Sequence, residues 1–484
     1  MPFTAGDIKT VSYLEEEFQK IGLMPGNGES YFQNVSMVEI NGIPSQIMTI
    51  SGSKENFDLN YMTDFVALTQ RLDDEISLDN SELVFAGYGI VAPEYNWNDY
   101  EGIDWAGKTA VVLVNDPGFG SKDSTFFKGN AMTYYGRWTY KYEEAGRQGA
   151  AGILIIHETE PASYGWNVVR GSWSGAQLNL ESTIPRPKIQ GWITLQSAKR
   201  LFAVADPEIS NFHDLAKEPN FRPISMGITA SVAVKNTIKR DASKNVVAVI
   251  PGTEKADEYI IYSAHWDHLG IGRVVDGDSI YNGAVDNASG TACLLAIAEA
   301  FKQSEPSKRS IVFIALTAEE QGLLGSAYYA EHPIYDPKKT VANINIDGIE
   351  SVGPMKDLTI TGFEHSEMDN YAREAAQKHG RYIIPDPEPE KGYFFRSDHF
   401  NFAKIGIPAL YASGGYEHAE NGIEFAKEVS DEYRTVRYHQ PQDEFDPTTL
   451  GGITSDAQLL FEVGLKLANE DYFKLKKHSL KPVS

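Results

Sequence analysis

Apolar and polar positions along this chain follow three rhythms, and each predicts a different kind of element. Near the start Val11, Leu14, Phe18 and Ile21 recur at helical spacing, and Gly22 stands where a helix takes a C-terminal glycine cap. A polar, strand-like stretch follows. From about Ser81 glycines and aromatics cluster, in Phe85-Ala86-Gly87-Tyr88-Gly89-Ile90 and Asn98-Asp99-Tyr100-Glu101-Gly102-Ile103. Two unbroken apolar runs come next, at 109–114 and 152–156, with a helix-like segment at 140–148 between them. Short strands divided by turns, with one helix, predict a compact and mostly β module.

The third rhythm begins at Asn245. Residues 246–250, 259–262, 310–316 and 341–346 are rich in apolar residues. Helical stretches at 291–301, 322–329 and 368–377 separate or follow them, and a last helix at 456–468 carries Leu460, Val463 and Leu467 on one face. Strands of this kind are buried on both faces, so the pattern predicts an α/β fold with a sheet covered by helices.

Composition leaves that picture standing: 42% hydrophobic and 23% charged residues are ordinary for a globular protein. The length of 484 residues allows roughly two to four domains. Charge adds more. With 67 acidic against 43 basic side chains the formal net charge is −24, a field that repels nucleic acid and anionic lipid. Solubility and the concentration of cationic peptides are the two uses open to it. The one cysteine, Cys293, lies in the apolar run Ala292-Cys293-Leu294-Leu295 and reads as a small buried hydrophobe. That leaves no disulfide framework and no support for a cysteine nucleophile. No apolar stretch is long enough to span a bilayer. Met1-Pro2-Phe3-Thr4 has neither the basic region nor the apolar core of an export signal, so the protein stays inside the cell or its signal has been removed.

The chemistry gathers just after the apolar strands, in His265-Trp266-Asp267-His268, Asp286-Asn287, Glu319-Glu320 and Asp347. In open α/β sheets ligands bind beyond the carboxyl ends of the strands, so four such placements point to one shared site. Each alone has a plainer reading as a helix cap or turn residue, and Asp286 could cap the helix that begins near Ser289. The plainer reading leaves the His265-x-Asp267 pattern and the adjacent Glu319-Glu320 pair unexplained.

Six segments follow one another in order: Ser263-Ala264-His265-Trp266-Asp267-His268, Gly283-Ala284-Val285-Asp286-Asn287-Ala288-Ser289-Gly290, Glu319-Glu320-Gln321-Gly322, Asn345-Ile346-Asp347-Gly348, Ser397-Asp398-His399 and Tyr438-His439. Together they resemble zinc metallopeptidases of the aminopeptidase Y and glutamate carboxypeptidase type. The stretch from about Ser81 resembles the protease-associated domain that many of these enzymes carry as an insert. The resemblance implies a mixed, mostly parallel sheet flanked by helices. It divides the chain into an N-terminal part of the catalytic domain at 1–80, the insert at 81–224 and the di-zinc catalytic domain at 225–484. It also implies a secreted or periplasmic protein acting on peptides; monomer and homodimer both stay open.

Carried over by position, the resemblance puts His265 and Asp347 on one zinc, Glu320 and His439 on a second, and Asp286 between the two. Such a pair of Zn2+ ions holds a bridging hydroxide and polarises the scissile carbonyl. Glu319 becomes the general base, and Asp267 accepts from the free nitrogen of His265 to fix its tautomer. A cis peptide between Asp286 and Asn287 is implied as well. Tyr438 steadies the oxyanion or packs on the pocket wall, Asp443 supports the His439 loop, and His268, Asp398 and His399 are expected to shape the pocket without binding metal. Tyr393, Phe394 and Phe395 line a specificity pocket or belong to the core, and both readings stay open.

An aminopeptidase is the leading expectation, with the substrate amine near Glu319 and Asp347. A carboxypeptidase or dipeptidase of the same fold needs a cation for the substrate carboxylate, and Arg396 is nearest in sequence. A receptor-like scaffold such as the transferrin receptor ectodomain lacks a working metal site, whereas the five ligand positions are intact here. Glutaminyl cyclases use one zinc, against the two-metal set of this chain. The protease-associated insert either restricts large substrates or packs passively.

Overall fold

The computed structural model describes residues 1–182, 184–205, 209, 211–348 and 352–471. The chain forms two compact units. The first comprises Met1–Met37, Asp241–Pro387 and the residues from Arg396 onward; the second comprises Val38–Arg240 and Glu388–Phe395. No helix among the described residues is long and apolar enough to cross a membrane.

The first unit is built on the predicted apolar strands. Strand Lys255–His265 pairs in parallel with Arg309–Leu316 on one side and with Thr340–Asn345 on the other, and Ala409–Ser413 extends the parallel set. Antiparallel strands continue it at both ends: residues 246–250 beside Arg309–Leu316, and Asp357–Ile360 beside Ala409–Ser413. The side chains explain why these runs lack polar alternation. Ile260, Tyr262 and Ala264 enter one apolar cluster, and so do Ile311, Phe313 and Ala315. Their neighbours Ile261, Val312, Ile314 and Leu316 enter another. Helices Ala5–Ile21, Gly290–Gln303 and Leu450–Asn469 cover the first face with Leu14 and Phe18, Leu294 and Ile297, and Leu460 and Val463. Tyr329 and Phe402 cover the second. This is the α/β architecture expected from the pattern.

The first helix starts and stops as its sequence directs. Thr4 accepts from the Asp7 amide at the N-terminus. Gly22 takes φ +87 and returns its N–H to the carbonyls of Phe18 and Gln19, a backbone conformation that costs a residue with a Cβ about 1–2 kcal/mol.

The second unit carries its own parallel strands. Thr109–Leu113 lies between residues 83–85 and Gly152–His157, which in turn pairs with Ile189–Thr194. Its extent differs from the 81–224 expected for the insert. Ile47–Gly52 and Glu75–Phe85 pair with residues 224–235, so the chain from Val38 and the stretch through Arg240 fold with this unit. Those long-range pairings set its limits. Phe394 and Phe395 are buried in this unit, where the Phe395 ring lies 5.8 Å from Tyr134.

Candidate metal centre

Parallel strands end on the same edge, and the chemistry gathers there. His265 is the last residue of Lys255–His265. Glu319 and Glu320 follow Arg309–Leu316 by three and four residues, and Asp347 follows Thr340–Asn345 by two. Asp286 comes from the turn ahead of helix Gly290–Gln303, and His439 from the loop after residues 433–437.

Asp286 sits between the two imidazoles. Its Oδ1 is 3.1 Å from His265 Nε2, and its Oδ2 is 3.4 Å from His439 Nε2. Asp347 Oδ1 also stands 3.1 Å from His265 Nε2, and Glu320 Oε2 stands 3.1 Å from His439 Nε2. Two ligands on one tetrahedral zinc, each bonded at 2.0–2.1 Å, are about 3.3 Å apart. Both clusters have that spacing, and Asp286 gives one oxygen to each. His439 Nε2 is buried, yet neither carboxylate meets it in hydrogen-bond geometry. The donor set, with imidazole nitrogen and carboxylate oxygen, therefore fits a pair of zinc-like cations. The helix-cap reading of Asp286 gives way: its carboxylate faces the histidines, and Ser289 precedes the helix without a side-chain cap bond.

The turn that carries Asp286 is held from a distance. The Asp443 carboxylate accepts from the amides of Val285 (3.0 Å) and Asp286 (3.2 Å), and the Asp443 carbonyl accepts from Ala284. Asp443 thus supports the Asp286 turn as well as the loop in which it lies. The Asn287 amide donates to Ile346 O and its oxygen accepts from Gly290 and Gly348, tying this turn to the one bearing Asp347. The Asp286–Asn287 peptide is cis, as the resemblance implied. Ser397 donates to Asp347 Oδ2, which leaves Oδ1 toward His265.

Asp267 departs from its expected contact. Its carboxylate Oδ1 lies 3.9 Å from His265 Nδ1, and the Asp267 main-chain carbonyl meets that nitrogen instead at 3.1 Å. The Asp267 side chain reaches across to accept from the Glu319 amide at 3.0 Å. Its role is to hold the turn of Glu319. That turn has Ala318 at φ +54, and His439 stands at φ +58; non-glycine residues in this region cost of order 1–2 kcal/mol each.

Among the protein's own charges, burial pushes Glu319 well above the usual carboxylate range; His265 opposes this while Asp347, Glu320 and Asp398 add to it. Burial likewise raises Asp398 to about 7 and Asp267 to about 6, in each case against the attraction of His265. Burial works to lower His439, but Glu320 and Asp286 outweigh it and lift the imidazole to about 10. Glu319 Oε2 lies 3.9 Å from His265 Nε2.

Tyr438 stacks on His439, ring centroids 3.9 Å apart, and is half-exposed. Asp398 is buried and accepts from Ser326 Oγ at 2.5 Å, and His399 packs 4.9 Å from Tyr411. Besides the Asp267 contact, sequence reasoning missed that of His268: its Nδ1 lies 2.5 Å from Glu320 Oε1. Its place three residues after His265 was the one available signal.

Residues 245–463 match the model of peptidase family M28. Over 138 residues the chain is 36% identical to "Aminopeptidase NAALADL1" of Mus musculus, covering 27% of this chain and 17% of that protein. It is 31% identical over 207 residues to "Glutamate carboxypeptidase 2 homolog" of Caenorhabditis briggsae, covering 40% and 24%. It is 27% identical over 215 residues to "Aminopeptidase YwaD" of Bacillus subtilis, covering 42% and 40%. The chain thus spans well under half the length of these curated relatives. In fold it is similar to the solved structure titled "Aminopeptidase from Aneurinibacillus sp. strain AM-1", with a TM-score of 0.51, 20% identity, and 98% of this chain and 91% of that chain covered.

Proposed function

Residues 245–463 match the model of peptidase family M28, and on that basis we propose that the chain is a co-catalytic zinc exopeptidase that removes N-terminal residues from peptides. The observation that carries the reading is the divided Asp286 carboxylate, with Oδ1 3.1 Å from His265 and Oδ2 3.4 Å from His439. His265, Asp286 and Asp347 would hold one Zn2+, and His439, Asp286 and Glu320 the other. Zinc in such a pair polarises a carbonyl and acidifies water.

The chain's own residues supply the rest. Glu319 takes a proton from the attacking water and returns it to the leaving amine. Asp267 holds the Glu319 amide and so fixes the turn from which the base acts. Tyr438, stacked on His439, is positioned by that ring to donate toward the tetrahedral oxyanion. A free substrate amine finds anionic surroundings in Glu319 and Asp347, and two of the relatives bear the name aminopeptidase. Residues 81–224, which lie within the second unit, are read as an insert of the protease-associated type.

Two measurements on the full chain test this. Metal analysis after zinc-replete purification is expected to find two zinc ions per chain, and a content near zero would end the metallopeptidase reading. A peptide library read by mass spectrometry is expected to lose residues from free N-termini. Cleavage of N-acetylated but not C-amidated peptides would replace the aminopeptidase by a carboxypeptidase.

A further inference from the structure

Two imidazoles approach Glu320, and their distances divide their roles. His439 Nε2 stands 3.1 Å from Oε2, the separation of two ligands on one tetrahedral ion. His268 Nδ1 stands 2.5 Å from Oε1, well inside the about 3.3 Å between co-ligands and within hydrogen-bond reach. An ionised carboxylate only accepts, so Nδ1 is the donor.

The His268 ring is fixed by packing. Its Nε2 is buried and has no hydrogen-bond partner among the described residues, so none of them holds the far side by a polar contact. Gly283, at φ +64, lies against the ring so closely that a Cβ there would sit 2.5 Å from His268 Cγ and 2.7 Å from Cδ2. On another side the ring meets His439 edge to face, with centroids 5.6 Å apart. An imidazole so confined can offer Nδ1 in one direction, and Glu320 Oε1 occupies it.

We propose that His268 is the positioning residue of the second cation: by holding Oε1 it leaves Glu320 a single oxygen, Oε2, to present beside His439 and Asp286. The inference rests on the two-cation reading above. Without His268 the Glu320 carboxylate turns freely, and the ion it serves loses affinity. The cation that His265, Asp286 and Asp347 would hold does not draw on Glu320, so its affinity is expected to stay.

The test compares full-length wild type, His268→Ala and His268→Asn, each equilibrated against graded free-zinc buffers, with bound zinc counted by mass spectrometry. Asparagine places an amide nitrogen near the position of Nδ1 and can still donate. Wild type is expected to bind two zinc ions. His268→Ala is expected to weaken one of the two steps about 10–100-fold and leave the other in place, and His268→Asn to restore most of the loss. Cobalt(II) gives a second readout, because its visible absorption weakens when Glu320 binds through both oxygens. Unchanged zinc affinities in His268→Ala overturn the proposal. So does an equal weakening of both steps, or a His268→Asn variant as weak as His268→Ala, since a merely structural role predicts these. Wild type that binds fewer than two zinc ions defeats the two-cation reading itself, and the proposal with it.

Discussion

Each unit of the molecule buries a cluster of charged side chains, and the two clusters are finished in opposite ways. In the second unit Asp99 accepts from the amides of Tyr88 and Ile90 and from Trp97 Nε1, and Asp116 accepts from the amides of Gly118 and Thr133 and from the Thr133 hydroxyl. The fully buried Lys141 ammonium donates to Asn115 O at 2.7 Å. Burial lifts Asp99 to about 7 and Asp116 to about 6, and draws Lys141 down to about 7, against their mutual attraction. In the first unit the carboxylates face histidines and other carboxylates. Asp267 Oδ2, His268 Nε2, Asp398 Oδ2 and His439 Nε2 are buried there without a hydrogen-bond partner among the described residues. Each such atom costs about 1–3 kcal/mol. Burial and perturbed titration are common to both clusters; what separates a candidate binding site from a structural network is the hydrogen bonding left incomplete.

Substitutions can break that contrast from either side. The largest effect is expected from Asp286→Ala, which removes an oxygen from both cation positions: zinc content should fall from two to none and hydrolysis to background. Retention of one zinc by elemental analysis would mean that Asp286 does not bridge. Glu319→Gln is next. It removes a proton carrier and no ligand, so turnover should drop about 10²–10⁴-fold with the zinc content intact. Activity near that of wild type would take the role of base away from Glu319.

Lys141→Met probes the other cluster. It leaves two buried carboxylates unopposed and should cost about 3 kcal/mol in urea unfolding, without loss of zinc. A smaller effect, and a sharper one, lies in the pH dependence. The folded pKa of Lys141, about 7, is below its ordinary 10.5. Between those values the unfolded chain binds a proton that the folded chain lacks, so stability rises with pH; the contribution is full above 10.5 and lost as pH falls through about 7. The rise approaches about 1 kcal/mol per pH unit, and it should be absent in Lys141→Met. Equal slopes for the two proteins between pH 7.5 and 9, as about two steps of a buffer series, would show that burial does not depress this lysine.

Much of the first unit was legible in the sequence because a sheet covered on both faces leaves a local mark: Ile260 to Tyr262 and Ile311 to Leu316 need no polar positions. The placement of His265, Glu319, Glu320 and Asp347 just after such strands was legible for the same reason. His439 was reachable only through the order of motifs, since nothing around it repeats a strand rhythm. Two contacts escaped because they depend on where loops bend. Asp267 turns its carboxylate to the Glu319 amide, and His268 turns its ring to Glu320, although both follow His265 by only two and three residues. The limits of the second unit escaped because residues 47–52 and 75–85 find their partners more than a hundred residues later.

The grip of Asp443 on the turn of Asp286 also sets an order of events during synthesis. A ribosome making about 5–20 residues per second needs roughly 10–35 s to pass from His265 to Asp443. Throughout that interval the emerging chain carries strand ends and acidic turns but no cap for the central carboxylate and no His439. The cluster around Asp286 is therefore complete only once Asp443 has been made.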